Sequence, residues 1–121
     1  MSQHPVHRLF EWEPAGNVTV VRFTTSHLRD ERIILTVMES LEKMVETGKT
    51  NLLIDFTGIE AFASFAIGKL IRFNERMKPP VGRLAFCNLT PNVQEIIKIM
   101  NLGRMFSIYE SEQDALQSFE S

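Results

Sequence analysis

The chain lacks most of the residues by which catalysis shows itself. A single cysteine in 121 residues, Cys87, leaves no internal disulfide to form. It stands in "GRLAFCNL", which reads as a buried strand where a thiol acts as a small hydrophobe. Histidine is scarce as well: His4 and His7 fall in the N-terminal stretch, and His27 has no cysteine or second histidine at ligand spacing. No metal or other cofactor is therefore expected. There is no Gly-rich phosphate loop, no G-x-S-x-G elbow and no C-x-x-C pair, which removes the common short signals of nucleotide, hydrolase and redox chemistry. An excess of positive charge is missing too. Lys and Arg number 13 against 15 Asp and Glu, a formal net charge of -2, so nothing holds nucleic acid by counterion release or draws the chain to an anionic membrane. No apolar run approaches the roughly 20 residues of a membrane span. The start, "MSQHPVHRLF", lacks the layout of a secretory signal, and a cytoplasmic protein is expected.

What is present is a patterned globular chain. At 44% apolar and 23% charged, it suits one domain over residues 1–121 with a single core, residues 1–6 being expected to be disordered. "HRLFEWE" and "NVTVVRF" are β-rich runs joined by Pro14, Ala15, Gly16 and Asn17, the turn chemistry of a hairpin. From Asp30 to Thr47, Ile34, Val37, Met38, Leu41, Met44 and Val45 recur at helical spacing, and Gly48 is placed to end the helix. "NLLIDF" is an unbroken apolar run suited to a central strand covered on both faces. "IEAF" reads as a short extension leading into a helix from Ser64 to Arg76. "RLAFCNL" is another strand. In "TPNVQEIIKIMNLG", Thr90 stands as N-cap, Pro91 at the first helical position and Gly103 past the end. "MFSIY" is a last short strand, and "SEQDALQSF" a helix with Ser111 and Asp114 as a capping pair. Strands alternating with helices imply an α/β fold with a largely parallel sheet and an antiparallel opening.

Asp55 and Glu60 are the nearest thing to a catalytic acid pair. The structural reading is stronger: Asp55 ends a strand where a carboxylate accepts turn amides, and Glu60 alternates outward beside Ile59.

The ordered set "NLLIDFTGIEAFASFAIGKL" and "GRLAFCNLTPNVQEIIKIMNLGRMFSIYESEQDAL" resembles the STAS domain family from about residue 17 to residue 119. Members of that family include bacterial anti-sigma-factor antagonists and stressosome proteins. The resemblance implies a mixed, mostly parallel sheet of about five strands with four helices packed mainly on one side. It further implies a non-enzymatic, signalling role in bacterial transcription regulation. The partner would be an anti-sigma factor or serine kinase, and a second copy of the chain is a further candidate. In the phosphoregulated antagonists the turn before the helix reads Asp-Ser-Ser-Gly, and its first serine receives the phosphate. Here the same place reads Ala63, Ser64, Phe65, Ala66, with Ile67 and Gly68 keeping the Leu-Gly that follows. Ser64 is thus the implied phosphoacceptor, and Phe62, Ala63, Ser64, Phe65, Lys69 and Arg72 the implied partner-binding residues. Two readings of Ser64 stand at this point. It is either a switch, or only the N-cap of its helix with Phe62 and Phe65 packed across the turn as a hydrophobic staple. A constitutive scaffold that is never phosphorylated is the matching alternative for the whole chain.

Overall fold

The computed structural model describes residues 9–120; the expectation for residues 1–6, and His4 and His7, lie outside the described residues. The first elements of the described residues form a hairpin. Strands β1 (Phe10–Ala15) and β2 (Val18–Phe23) pair antiparallel with Ala15 opposite Val18, so the turn is Gly16 and Asn17 alone, shorter than the four residues expected. Gly16 sits at φ +66°, the left-handed region that a two-residue hairpin turn requires. Pro14 is tolerated inside β1 because an edge strand has no outer neighbour to miss its N–H.

The main sheet runs β1-β2-β4-β6-β7, with β4 (Asn51–Asp55) at its centre, β6 (Arg83–Cys87) beyond it and β7 (Ile108–Tyr109) at the far edge. All pairings after the first are parallel. β3 (His27–Leu28) and β5 (Ala61–Phe62) form a separate parallel pair, of which "IEAF" had shown only one half. Three helices connect the strands, α1 (Glu31–Glu46), α2 (Ser64–Arg76) and α3 (Pro91–Ile99), and α4 (Glu112–Ser118) follows β7.

Side-chain alternation along β4 sorts the core. Leu52 and Ile54 face α1, α2 and α3 in a cluster with Leu41, Phe56, Ile67, Leu70, Phe73 and Val93. Leu53 faces the other way, joining Val18, Val20, Ala85 and Cys87 beneath Ala115 and Phe119 of the α4 segment. Three helices therefore cover one face and α4 the other, which explains why "NLLID" carries no polar alternation. Helix ends follow local rules. Gly48 closes α1 at φ +101°, with Lys49 N–H donating to the Met44 carbonyl at 2.8 Å and Gly48 N–H to Val45 at 3.0 Å. α3 ends in the same pattern two residues earlier than expected from Gly103. Asn101, at φ +59°, takes the left-handed position, and Leu102 N–H reaches the Ile97 carbonyl at 2.9 Å.

Candidate functional site

The segment between β4 and α2 is held from three sides. Beneath it, Asp55 is buried at 5% exposure, and its Oδ1 accepts Thr57 N–H at 2.9 Å, Thr57 Oγ1–H at 2.6 Å and Asn88 Nδ2–H at 3.2 Å. On one flank Glu60 N–H donates to the Ser26 carbonyl at 2.7 Å and Ala63 N–H to the Leu28 carbonyl at 2.9 Å. On the other, Thr90 Oγ1 donates to the Ile59 carbonyl at 2.6 Å and Asn92 Nδ2 to the Glu60 carbonyl at 2.9 Å. Thr90 occupies the N-cap position of α3 but makes no side-chain cap, because its hydroxyl is turned to Ile59. Sequence reasoning read Thr90 and Asn92 only as the start of a helix. Their partners lie some thirty residues away, and nothing local signals them.

The same geometry disposes of the acid pair. Asp55 spends its carboxylate on the turn, with Arg22 Nε 3.7 Å from Oδ2, while Glu60 is exposed. Arg22 is also bound by Glu13 and, at 2.7 Å, by Glu112, which hold its guanidinium further toward the charged form. Burial, with Asp55 and Glu112 nearby, pushes the Cys87 thiol up to about 12, so it is an inert core group. Among the described residues no group of three or more His, Cys, Asp and Glu could hold a metal ion, and no helix is long and apolar enough to cross a membrane.

What this clamped segment carries outward is the start of α2. Ala63 is the N-cap, in extended geometry (φ -79°, ψ 154°), and no side chain caps the helix. Ser64 is the first helical residue, so the reading of Ser64 as N-cap is corrected by one position. An N-cap side chain must stand outside the helix to reach back to the N2 or N3 amide, and Ser64 is already inside. Its side chain is exposed, and its Oγ makes no hydrogen bond among the described residues. The Ala63 carbonyl accepts from Ala66 N–H at 3.0 Å and Ile67 N–H at 3.2 Å, while the amides of Ser64 and Phe65 have no acceptor within the helix. An uncapped, positively polarised helix start therefore surrounds an exposed hydroxyl.

The family model of the STAS domain matches residues 15–115. The chain belongs to the STAS domain family. Solved structures share the fold from end to end. An anti-sigma-factor antagonist (STAS) domain protein from Planctomyces limnophilus superposes at TM-score 0.81 with 24% identity, over 93% of this chain and 98% of that one. A putative anti-sigma factor antagonist from Thermotoga maritima gives 0.81 with 16% identity over 98% and 100%. The Bacillus cell-fate determinant SpoIIAA in its phosphorylated form gives 0.68 with 16% identity over 91% and 98%. No curated protein matches the sequence.

Within this STAS fold the six residues singled out from the sequence divide. Phe62 is buried at 9% exposure, edge-on to Phe56 at 5.5 Å between ring centroids, and packs in the core cluster. It occupies the position before the cap, and its helical counterpart in a staple is Ile67 of the same cluster, not Phe65. Ala63 and Phe65 are half-buried, and Lys69 holds its Nζ 5.3 Å from the centre of the Phe65 ring. Ser64, Gly68 and Arg72 follow one another at four-residue spacing and are all exposed. A Cβ on Gly68 would meet nothing within 4 Å, so the strip is open and flat between the hydroxyl and the guanidinium.

Proposed function

We propose that this STAS chain acts as one non-enzymatic, cytoplasmic regulatory module. It docks a protein partner of the anti-sigma factor or serine kinase class over Ala63, Ser64, Phe65, Lys69 and Arg72, with Phe62 supporting them from below, and phosphorylation of Ser64 releases that partner. The observation that carries the reading is the exposed Ser64 hydroxyl at a helix start that no side chain caps. A phosphate there adds roughly -1.5 to -2 charge where free amides and the helix dipole favour an anion, so the fold has no reason to open. The same charge in front of a partner's apolar or acidic surface costs desolvation and repulsion, which weakens the complex.

A second reading, a constitutive scaffold or assembly module, is favoured by one feature of the same turn. Ala63 offers no carboxylate beside Ser64, and the bulk of Phe65 stands where the phosphoregulated pattern has a second serine. The two are separated by incubating the pure protein with ATP and a serine kinase purified from the native host, then mapping phosphate by mass spectrometry. A single phosphate on Ser64, absent from Ser64→Ala, is expected. No transfer, or transfer elsewhere, leaves the scaffold.

A further inference from the structure

The two faces of the sheet are covered to different depths. Among the described residues, twenty-three buried side chains form the cluster beneath α1, α2 and α3, against seven in the opposite cluster, where only Ala115 and Phe119 come from the α4 segment. α4 is seven residues long and contributes no strand, so its departure breaks no rung of the sheet. A helix that short does not persist alone. Two arginines of the sheet clasp its ends. At the first turn Arg22 of β2 donates from Nη2 to Glu112 Oε1 at 2.7 Å. At the last, Arg83 of β6 donates from Nη2 to the Ser118 carbonyl at 3.0 Å, and its guanidinium stands 5.4 Å from the centre of the Phe119 ring. Neither clasp strands a charge by opening. Arg22 keeps Glu13 and stays 3.7 Å from Asp55, and Arg83 is exposed to water. In the same cluster as Ala115 and Phe119 lies Cys87, fully buried, with its thiol pushed up to about 12 by burial and by Asp55 and Glu112. While α4 is closed that thiol is silent.

We infer that α4 is a releasable strap: it lets go as one unit ahead of the rest of the fold, turning about Glu110 and Ser111, and the Arg22 and Arg83 clasps set how often the Cys87 face of the sheet is uncovered. The open form keeps the sheet and the three helices of the other face, so the turn at Ser64 stays as it is. It presents Val18, Val20, Leu53, Ala85 and Cys87 as apolar surface that the closed form hides. That surface is conditional on the clasps. Freed from burial and from Glu112, the Cys87 thiol regains ordinary reactivity, and its alkylation measures the open population when closing outpaces the reagent.

The test sets three probes on the full chain: alkylation of Cys87 by iodoacetamide, scaled to its rate in guanidinium-unfolded protein, and hydrogen exchange of the Ala115 and Leu53 amides. Ala115 N–H is bonded to the Ser111 carbonyl at 3.1 Å within the strap, and Leu53 lies in the central strand. Cys87 and Ala115 should report one opening equilibrium, about tenfold or more ahead of Leu53, as a sub-global unit does. Glu112→Gln keeps the size of the side chain and removes its charge. It should speed Cys87 and Ala115 together by about threefold or more, through loss of a charge-assisted bond. Ile34→Val, in the core of the other face, should speed Leu53 by about threefold or more and leave Cys87 unchanged. Cys87 reacting no faster than Leu53 exchanges, Ala115 exchanging far ahead of Cys87, Glu112→Gln without effect, or Cys87 following Ile34→Val would each overturn the proposal.

Discussion

α1 and α2 lie side by side on the same face of the sheet, yet they begin in opposite ways. At α1, Asp30 stands outside the helix and accepts Arg32 N–H at 2.8 Å. At α2, Ala63 holds the cap position with a methyl group, and the nearest hydroxyl, Ser64, is one residue too late to reach back. The other two helix starts also commit their polar side chains to the fold: Ser111 Oγ accepts Asp114 N–H at 3.1 Å, and Thr90 is turned to the Ile59 carbonyl. At α2 the hydroxyl nearest the cap, Ser64, makes no hydrogen bond among the described residues, and it follows a segment held by Ser26, Leu28, Thr90 and Asn92. A side chain with no hydrogen bond to lose, on a segment bonded from both flanks, is the feature on which the proposed switch depends.

The largest effect expected from disturbing this contrast comes from below it. Ile54 lies beneath both helices in the shared core, and Ile54→Asp would bury an unpaired carboxylate, costing more than about 4 kcal/mol and abolishing a cooperative melt. A folded Ile54→Asp protein by calorimetry would refute the central placement of β4. Next come the caps. Asp30→Ala should cost about 0.5–2 kcal/mol in denaturant titration, and Ala63→Asp should raise stability by a similar amount by giving α2 the cap that α1 has. If Ala63→Asp is neutral, α2 is not starved of a cap and the contrast loses its energetic content. Ser64→Ala is expected to change stability by less than about 0.5 kcal/mol, since no hydrogen bond is lost. The smallest effects are at the rim: Lys69→Glu and Arg72→Glu should leave the melt alone and slow association with the partner, an effect that fades as salt is raised.

Much of this could be read from the sequence because it is local. The spacing of Ile34, Val37, Leu41 and Met44 marks the buried stripe of α1, and the unbroken "NLLID" marks a strand covered on both faces. The Ser111 cap lies three residues from its amide. The failures were of two kinds. Some were shifts of one or two positions that side-chain preference cannot resolve: Ser64 is a good N-cap residue, yet the backbone starts the helix at it, and Asn101 rather than Gly103 takes the left-handed turn. Others depend on distant partners. β3 exists only because Ala61 and Phe62 pair with His27 and Leu28, and the burial of Phe62 depends on Phe56 and on the helices over it. The bond from buried Asn74 to the Met105 carbonyl is of the same kind, its partners lying 31 residues apart. The family pattern around Ser64 names a candidate set, but which of its residues face outward depends on packing that the pattern does not carry.

The most direct test is Ser64→Asp, measured twice on the same preparation: by calorimetric melting, and by titration with the partner purified from the native host. Aspartate at the first helical position suits the dipole, so the melting temperature should stay at or slightly above wild type. Binding should weaken by about tenfold or more, the added charge lying within the interface. A variant that melts as wild type and binds as tightly as wild type would contradict the account, for the turn at Ser64 would then not be where the partner docks.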